Sequence, residues 1–421
     1  MVGYKLNGYK SLTKDKSVVS YLTPDKVYIP LKNGSNEDST ELVSKGNHVF
    51  KNMHIAHLKG PLKINIISSI SGKVIGIEEK TFFNGQKVKC LVIENDYKED
   101  IENNASLNKN ITSYSKEEFL DCLLDAGIVG MGGASFPTYI KYSTDQKIKT
   151  LIINAVECEP YITTDYRMLF DYTEEILETI DAIMKINKID NAILAIKKTH
   201  KSLINHINNY IGSYDHIILK TVPNLYPMGW ERLLIEKTIG VEYDKLPIEQ
   251  GIVVNNVSTI YAIYEALKYG KRVTERIITF SGDMLVEPVN MLVKTGTLLK
   301  DIMKELKFKK GNFNIIAGGP MMGSIVDEDL VISPSLNCVL FLEKKCDVEV
   351  TECIRCGKCA KVCPARLSPV LIKDYLKDIP MLKNLKADNC ISCGLCSYIC
   401  PSNIDVRSYT EKARDIVRKA G

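Results

Sequence analysis

The stretch Cys353-Ile-Arg-Cys356-Gly-Lys-Cys359-Ala-Lys-Val-Cys363-Pro has the spacing C-x2-C-x2-C-x3-C-P. The same spacing returns in Cys390-Ile-Ser-Cys393-Gly-Leu-Cys396-Ser-Tyr-Ile-Cys400-Pro. Cysteines at this spacing surround one 4Fe–4S cluster with three thiolates and send the fourth thiolate of each run to the other cluster. The two runs therefore predict two 4Fe–4S clusters. The ligands of the first are Cys353, Cys356, Cys359 and Cys400, and those of the second are Cys390, Cys393, Cys396 and Cys363.

Zinc sites and disulfide bonds are the two alternatives for these cysteines. Soft thiolates bind zinc as well as iron–sulfur clusters, and four-cysteine zinc ribbons also use CxxC pairs. A ribbon needs only two pairs per metal, however, and has no third step or trailing Cys-Pro. Disulfides belong to oxidising compartments, whereas this chain is long and starts without an apolar signal-peptide segment. The spacing therefore favours an iron–sulfur domain in residues 346–421 of a cytoplasmic protein.

The composition is typical of a protein with several hydrophobic cores. The chain has 421 residues, of which 45% are hydrophobic and 25% are charged, and its formal net charge is +4. This length predicts about two to four domains, and the small charge argues against a nucleic-acid-binding surface. No apolar run reaches the roughly 18 residues that suggest a membrane-spanning helix. We therefore expect no nucleic acid partner and no spanning helix.

The amino-terminal part predicts an extended arm followed by a small β domain. Residues 1–23 are polar and weakly patterned, so we expect an arm there. Residues 24–98 contain short β-branched runs separated by Gly, Pro and Asn, which is typical of an all-β unit. The segments around Gly46 and Gly72 resemble the half-repeats of a biotinyl- or lipoyl-type barrel-sandwich. The hairpin at Gly60-Pro61 lacks the lysine signal of a lipoylated arm, so we expect a barrel-sandwich that is not lipoylated.

Residues 113–270 alternate between helical and strand patterns, which predicts a parallel sheet covered by helices on both faces. The predicted strands include 191–197, 216–222 and 251–255. A glycine-rich loop, Gly127-Ile-Val-Gly130-Met-Gly132-Gly133-Ala-Ser-Phe136, follows the first predicted helix. Bare backbone amides in such a loop suit a phosphate or a flat ring. The loop is not a dinucleotide fingerprint, because GxGxxG follows a strand and opens a helix.

Acidic residues follow the first predicted strand of this region. That strand, Thr150-Leu-Ile-Ile-Asn154, runs into Ala-Val156-Glu157-Cys158-Glu159-Pro. Groups at the carboxyl ends of strands lie where open α/β sheets bind ligands; helix capping and surface charge are the alternative roles. Residues 271–345 then show strands around one short helix, which fits a β-grasp module.

In chain order, these motifs resemble the RnfC-like electron-transport family, which includes the RnfC protein of the Rnf complex and the electron-transfer protein associated with proline reductase. The segments that carry the resemblance, from about residue 24 to 410, are Gly130-Met-Gly-Gly-Ala-Ser-Phe-Pro-Thr138 with Lys141, Asn154-Ala-Val-Glu-Cys-Glu-Pro-Tyr161, Tyr226-Pro-Met-Gly229, Val254-Asn-Asn256, Gly318-Gly-Pro-Met-Met-Gly323 and the cysteine runs. The family is similar in turn to the flavin subunit of respiratory complex I. The resemblance implies a multidomain α/β protein: a barrel-sandwich, an α/β domain for FMN and NADH, a soluble-ligand-binding β-grasp (SLBB) module and an α-helical two-cluster ferredoxin domain.

The resemblance also implies which residues bind the cofactors. Those that it assigns to FMN are Gly130, Gly132, Lys141, Asn154, Asn255, Asn256 and Thr259, with Gly133 in the same loop. Those that it places near the nicotinamide nucleotide or the flavin ring are Phe136, Glu157, Glu159, Tyr226 and Glu231. No side chain is given a catalytic role, because hydride transfer between two cofactors needs no acid–base residue and the chemistry belongs to the cofactors.

Two residues depart from the motifs of the related families. Val156 stands where the complex I flavin motif has an acidic residue, and Trp230, the only tryptophan, stands where RnfC usually has glycine. An indole at that position could stack on a cofactor, fill part of a nucleotide pocket or pack in the core.

The predicted function is electron transfer from NADH through FMN to the two clusters and then to a partner redox protein. The partner is either another member of the Rnf complex, with peripheral attachment at the cytoplasmic face of the membrane, or a soluble terminal reductase such as proline reductase. The alternative is an adaptor that relays electrons through its clusters without oxidising NADH, because Trp230 and Val156 prevent nucleotide binding. A metal-stapled ligand-binding protein is a third hypothesis.

Overall fold

The computed structural model describes residues 3–34, 36, 38–60, 62–102, 108–243, 245–344 and 348–420. Pro61 of the predicted hairpin and residues 345–347, where the predicted cluster domain begins, lie outside these ranges. The amino-terminal segment contains a short 3-10 helix, Lys10–Leu12, and strand β1 (Val19–Tyr21). None of the described helices is both long and apolar enough to cross a membrane.

The first domain consists of two antiparallel sheets that share one hydrophobic core. Its strands are β2 (Lys26–Pro30), β3 (Ser39–Glu41), β4 (His48–Val49), β5 (His54–Leu58), β6 (Ile64–Ile67), β7 (Gly72–Thr81) and β8 (Lys87–Asn95). One sheet has the order β2-β8-β7-β4 and the other β3-β5-β6. Val27 and Val74 of the first sheet and Ile55 of the second are fully buried in the core between them. This arrangement is the barrel-sandwich that the sequence predicts.

The second domain is built on a four-stranded parallel sheet. Its elements are α1 (Lys116–Asp125), α2 (Thr138–Tyr142), β9 (Thr150–Ala155), α3 (Thr164–Asp171), α4 (Thr173–Asn187), β10 (Asn191–Lys197), α5 (Lys201–Asn208), β11 (Ile217–Val222), α6 (Glu231–Ile239), β12 (Ile252–Asn256) and α7 (Val257–Tyr269). The strand order is β11-β10-β9-β12. The chain thus moves outward from β9 to β11 and then returns to place β12 on the other side of β9. The carboxyl ends of β9 and β12 form a topological switch point, where open α/β sheets leave a crevice for ligands.

Local sequence signals account for several boundaries of this domain. Ser115 and Glu118 form the capping box at the start of α1, each side chain accepting a hydrogen bond from the other residue's backbone N–H. The strand predicted at 191–197 is β10, and those predicted at 216–222 and 251–255 match β11 and β12 to within one residue. These strands are short apolar runs bounded by polar residues, so the hydrophobic pattern alone locates them.

The third domain contains a mixed sheet with one short helix. Its elements are β13 (Glu275–Ser281), β14 (Val289–Lys294), α8 (Leu299–Met303), β15 (Phe313–Ala317), β16 (Ser324–Val326) and β17 (Cys338–Glu343). The sheet order is β1-β14-β13-β17-β15-β16, and β13 pairs in parallel with β17. Leu299 and Ile302 of α8 pack against Phe280 and Phe341 in the core under the sheet.

The last domain is helical and carries a repeat in its backbone. Its helices are α9 (Lys358–Val362), α10 (Pro369–Asp374), α11 (Ile379–Asn384), α12 (Leu395–Tyr398) and α13 (Val406–Lys419). Corresponding positions after the first cysteine of each run have positive φ: Arg355 (52°), Gly357 (70°) and Arg366 (57°) in the first run, and Ser392 (57°), Gly394 (78°) and Asn403 (54°) in the second. The two cysteine runs therefore follow the same local path.

The segment predicted to be an arm is packed into the molecule. Tyr4 and Tyr226 exchange main-chain N–H···O hydrogen bonds of 2.9 and 2.8 Å. The amine of Lys10 donates to the carbonyl of Ile162, and β1 adds a parallel strand beside β14. Residues 3–21 thus bridge the second and third domains, a pairing between distant parts of the chain that local patterning does not reveal.

Candidate functional site

A cavity of about 740 Å³ opens at the switch point. It lies among the carboxyl ends of β9 and β12, the glycine-rich loop, the turn between β15 and β16, and residues 335–337. Cofactor and ligand sites usually occupy about 300–1,000 Å³, so the cavity has the size of such a site. Its position agrees with the general rule for open α/β sheets.

The glycine-rich loop turns its main chain toward the cavity. The N–H of Gly130 donates to the carbonyl of Phe136 at 2.8 Å, which closes the loop. Gly133 has a φ of +99°, a conformation that residues with a side chain rarely adopt. A Cβ atom on Gly132 would lie 3.2 Å from the side chain of Asn256. The loop therefore presents bare backbone that a phosphate or a flat ring can approach closely.

Side chains from α2 and α7 hold this loop and the end of β12. Thr259 accepts a 3.0 Å hydrogen bond from the N–H of Met131 in the loop. The Nζ of Lys141 donates to the carbonyl of Val254 at 2.6 Å. Burial lowers the pKa of the Lys141 ammonium, and the nearby Glu231 carboxylate opposes that shift. The cavity wall thus carries a lysine whose charge is only partly balanced.

Asn154, near the end of β9, and Glu157, just after that strand, also line the cavity. The Nδ2 of Asn154 donates to the carbonyl of Gly229 at 2.9 Å. Glu157 is buried, and its Oε1 accepts a 2.9 Å hydrogen bond from the N–H of Asp165. Its Oε2 lies 3.5 Å from Lys10 Nζ and accepts no hydrogen bond from any residue in the described ranges. Buried carboxylate oxygens are normally hydrogen-bonded, so this atom is an acceptor available to a ligand.

Glu159 lines the cavity beside the turn between β15 and β16. Its carboxylate accepts a 3.1 Å hydrogen bond from the N–H of Met321. A Cβ on Gly319 would lie 2.2 Å from Glu159 Oε2, so any larger residue there would displace the Glu159 carboxylate. Desolvation raises the pKa of Glu159 to about 7, although hydrogen bonds from main-chain N–H groups and from Tyr226 act in the opposite direction. The cavity therefore contains a carboxyl group that changes charge near neutral pH.

The structure brings together ten of the thirteen predicted cofactor-binding residues. Those that line the cavity are Gly130, Gly132, Gly133, Lys141, Asn154, Glu157, Glu159, Glu231, Asn256 and Thr259. Phe136, Tyr226 and Asn255 do not line it and support its wall instead. The Phe136 carbonyl closes the glycine-rich loop, the Asn255 amide donates to the hydroxyl of Tyr142, and Tyr226 is buried behind the cavity.

Asp165 is a site residue that the sequence analysis did not find. It lines the cavity, and its carboxylate accepts hydrogen bonds from Asn256 Nδ2 at 2.6 Å and Ser258 Oγ at 2.8 Å. Burial, together with the neighbouring Glu157, raises the pKa of Asp165. Its partners lie more than ninety residues away in the chain, and its place in the first turn of α3 suggests only a role at the helix terminus.

The cysteines of the last domain surround two separate small cavities. One is lined by Cys353, Cys356, Cys359 and Cys400, and the other by Cys363, Cys390, Cys393 and Cys396. Each cavity combines three cysteines of one run with the last cysteine of the other run. Four thiolates grouped in this way are a donor set that fits a 4Fe–4S cluster.

One cysteine set lies against the wall of the large cavity. Ile391, which follows Cys390, lines that cavity. The hydroxyl of Tyr226 donates to the carbonyl of Cys393 at 2.7 Å. A guanidinium N–H of Arg407 donates to the carbonyl of Met321 at 2.8 Å. The cysteine domain is therefore fixed to both walls that flank the cavity.

The other cysteine set lies at the outer surface. Cys353 and Cys356 are exposed, and Ile354 between them is also exposed. One set thus borders the cavity and the other faces outward, which is an order suited to carrying electrons from the interior to the surface.

This combination of a glycine-lined crevice in an α/β domain and a domain with two cysteine sets defines an electron-transfer protein with flavin-binding and iron–sulfur domains. Residues 123–265 match the family model described as the Nuo51 FMN-binding domain, and residues 352–404 match that of the 4Fe-4S dicluster domain. Residues 1–98 match the RnfC barrel sandwich hybrid domain. The chain belongs to the RnfC family.

Two relatives show the extent of the similarity. One is a component of the proton-translocating ferredoxin:NAD(+) oxidoreductase complex of Clostridium ljungdahlii, 34% identical over 372 residues, which cover 86% of this chain and 81% of that protein. The other is a component of the Na(+)-translocating ferredoxin:NAD(+) oxidoreductase complex of Acetobacterium woodii, 30% identical over 360 residues, or 84% of this chain and 81% of that protein. The family predicted from the motifs is confirmed.

Solved structures support the fold. A chain of an NAD+-reducing [NiFe]-hydrogenase in the H2-reduced state superposes with a TM-score of 0.52 and 19% identity, covering 73% of this chain and 62% of that one. The same kind of hydrogenase in the air-oxidised state gives a TM-score of 0.53 and 18% identity, covering 73% of this chain and 67% of that one. At this identity the likeness concerns the fold alone.

Proposed function

We propose that this chain oxidises NADH at FMN bound in the switch-point cavity and passes the electrons through two 4Fe–4S clusters to a partner redox protein. One observation carries the proposal: the cavity and one cysteine set share a wall, which Tyr226 and Ile391 form. A nucleotide site and a cluster site that touch in this way need no additional carrier between them. The names of the relatives point to the complex, a ferredoxin:NAD(+) oxidoreductase.

The residues that we assign to FMN are the glycine-rich loop and its supports: Gly130, Gly132, Gly133, Lys141, Asn154, Asn256 and Thr259. They fit the group, because the loop exposes backbone where a Cβ would intrude and the cavity has the required size. Bound FMN supplies the chemistry, accepting a hydride and returning the electrons singly. Lys141 would stabilise negative charge that develops at this wall, as positioned cations do in water-excluded sites.

The carboxylates on the remaining walls are assigned to the nicotinamide nucleotide. Glu157 Oε2 has free acceptor capacity, and Glu231 accepts a 3.1 Å hydrogen bond from the hydroxyl of Tyr243, which orients it. Carboxylates of this kind accept hydrogen bonds from ribose hydroxyls in nucleotide sites. We assign no acid–base role to any of them.

The electron path in this proposal runs from the cavity outward. Cys363, Cys390, Cys393 and Cys396 would hold the cluster that receives electrons from the cavity, because this cysteine set touches the cavity wall. Cys353, Cys356, Cys359 and Cys400 would hold the cluster from which electrons leave the protein, because two of these cysteines are exposed. The residues of the chain itself would hold the two clusters at a fixed spacing and shield them from solvent.

Two finer assignments complete the proposal. The third domain has two hairpins around a central parallel pair and one helix, the topology of a β-grasp fold, and we assign it to the SLBB class. We place the chain at the cytoplasmic face of a membrane complex as a peripheral component, on the strength of its relatives' names. A soluble reductase as electron acceptor is the competing assignment.

Trp230 supports a second candidate function. Its indole lines the cavity next to Glu231 and packs on the hydrophobic cluster beside β11 and β12. If the indole occupies the space of the nicotinamide nucleotide, the chain is an adaptor that relays electrons through its clusters only. Val156 also lines the cavity. It stands where the complex I flavin motif has an acidic residue, so this chain lacks a carboxylate that could help to bind the nucleotide despite the indole.

Anaerobic purification followed by cofactor analysis separates these functions. We expect one FMN per chain, iron for two 4Fe–4S clusters, and bleaching of the flavin absorbance on addition of NADH. Intact clusters in a protein that holds no flavin after reconstitution would favour the adaptor. Bound FMN that NADH does not bleach would show that the nucleotide half of the cavity is blocked, and Trp230→Gly should then restore bleaching.

A further inference from the structure

The barrel-sandwich domain contributes a wall to the nucleotide cavity. The turn that joins β7 to β8, here called the β7–β8 hairpin (residues 82–86), places Phe83 and Asn84 on the cavity lining. The same cavity is lined by Gly132 of the glycine-rich loop and by Glu159. A domain that lies outside the α/β fold therefore faces the proposed cofactors directly.

The hairpin is held rigidly in this position. Within it, the N–H of Phe82 donates to the carbonyl of Gln86 at 2.8 Å. Asp327, next to β16, accepts hydrogen bonds from Thr81 and from Lys87 Nζ, the latter at 2.9 Å. Phe82 is almost fully buried in a hydrophobic cluster formed with the third domain. These contacts with the third domain fix the tip of the hairpin at the wall of the cavity.

A second contact joins the same domain to the glycine-rich loop. The Nδ2 of Asn33, which follows β2, donates to the carbonyl of Ser135 at 2.6 Å. Ser135 has a φ of 54° at the end of the loop. The barrel-sandwich thereby contacts the glycine-rich loop through Asn33 as well as the cavity through its hairpin.

The two hairpin side chains offer complementary chemistry. Phe83 is half-buried and presents an aromatic ring, whereas Asn84 is exposed. The Asn84 amide is oriented by Gln86, whose side-chain oxygen accepts from Asn84 Nδ2 at 2.9 Å and whose N–H donates to Asn84 Oδ1 at 3.1 Å. An asparagine amide still has a second N–H and a second lone pair to offer. Adenine is recognised by this pair of groups, an amide at N6 and N7 and an aromatic face for stacking.

We propose that the β7–β8 hairpin binds the adenine end of the dinucleotide, with Phe83 stacking on the base and Asn84 reading its edge. This inference rests on the proposed function, because it needs NADH in the cavity. It assigns FMN to the α/β domain and the adenosine half of NADH to the barrel-sandwich domain. The barrel-sandwich then acts as a specificity element for the dinucleotide and not only as a structural module.

Fragment binding to the full-length, FMN-loaded protein tests this assignment. Kd values are measured under anaerobic conditions for NADH, for ADP-ribose and for reduced nicotinamide mononucleotide. Asn84→Ala and Phe83→Leu should weaken the binding of NADH and of ADP-ribose by about tenfold or more. The affinity for the mononucleotide and the FMN content should stay unchanged. Leucine retains the apolar contacts that Phe83 makes with the neighbouring cores. Asn209→Ala, at the exposed end of α5, is the matched control.

Hydrogen–deuterium exchange gives a readout that does not depend on variants. ADP-ribose and NADH should both slow exchange in the peptide that covers residues 82–87, and reduced nicotinamide mononucleotide should not. A wild-type protein that NADH bleaches, but in which the hairpin is not protected and both variants bind like wild type, would overturn the assignment alone. A wild-type protein that neither holds FMN nor binds NADH would overturn the proposed function and this inference with it.

Discussion

The hydroxyl of Tyr226 lies 2.7 Å from the main-chain carbonyl of Cys393 and 3.3 Å from the carboxylate of Glu159. Cys393 belongs to the cysteine set nearest the cavity, and Glu159 lines the cavity itself. Tyr226 is 2% exposed, so water does not compete for these contacts. A single phenol thus connects the proposed nucleotide site with a proposed cluster ligand.

Tyr226→Phe removes this connection and retains the ring. The Cys393 carbonyl is then left without its donor, and an unsatisfied buried acceptor costs about 1–3 kcal/mol of unfolding free energy. We expect a lower Tm of the cluster-loaded protein and a changed EPR signal of one reduced cluster only. Tyr375→Phe, which alters an exposed tyrosine of the cysteine domain, should change neither. Unchanged spectra of both clusters in the Tyr226 variant would contradict the connection.

Gly132→Ala tests whether the glycine-rich loop holds FMN. The new Cβ would sit 3.2 Å from the side chain of Asn256 and would enter the cavity wall. Overpacking typically costs about 1–3 kcal/mol, which corresponds to FMN binding that is roughly fivefold or more weaker. Equilibrium dialysis of flavin measures this directly. Gly212→Ala, in a 3-10 helix where a Cβ meets nothing within 4 Å, should bind FMN like wild type; equal loss in both variants would argue against a flavin role for the loop.

Glu159→Gln tests the raised pKa of the cavity carboxyl. Because its pKa is about 7 in the folded protein and 4.5 as the reference value, the folded state binds the proton more tightly than the unfolded state. This contribution to stability is fully present below about pH 4.5 and is lost as the pH rises to about 7. The Tm of the glutamine variant minus that of wild type should therefore increase from pH 5 to pH 7.5. The corresponding change in the difference of unfolding free energy is at most about 3 kcal/mol.

The control for that experiment is Glu249→Gln, which removes one negative charge from an exposed position. Its Tm difference from wild type should stay nearly constant over the same pH range. A flat profile for Glu159→Gln as well would show that the cavity carboxyl is not desolvated in the folded protein.

Serine variants test how the cysteines are divided between the clusters. Cys363→Ser should alter the same EPR signal as Cys393→Ser, because both residues line one cavity. Cys400→Ser and Cys356→Ser should alter the other signal. Cys122→Ser, in α1, should leave both signals intact. If Cys363→Ser instead affected the signal shared with Cys356, each run would hold its own cluster.

Much of this architecture could be predicted from local sequence. Strand β10 has the predicted boundaries, because a short apolar run is a property of neighbouring residues. The cysteine sets follow from spacing alone, since the spacing encodes the geometry of the cluster. The positive φ values shared by the two runs show the same repeat at the level of the backbone.

The features that the sequence did not reveal depend on contacts between distant segments. Lys10 reaches Glu157, and β1 pairs with β14, across some 150 to 270 residues. Asp165 becomes a cavity residue only because α3 packs beside the start of α7. The β7–β8 hairpin carries no motif at all, and its role follows from where the barrel-sandwich docks. Tyr226, expected near the nicotinamide nucleotide or the flavin ring, is not among the residues that line the cavity, and its hydroxyl is directed to Cys393.

An anaerobic NADH titration followed by EPR tests the central claim most directly, when it is performed on the FMN-loaded protein and on the same protein depleted of flavin. NADH should produce reduced-cluster signals in the FMN-loaded protein and none in the depleted one, with recovery when FMN is added back. Clusters that stay oxidised in the FMN-loaded protein, or that NADH reduces equally well without flavin, would contradict the account.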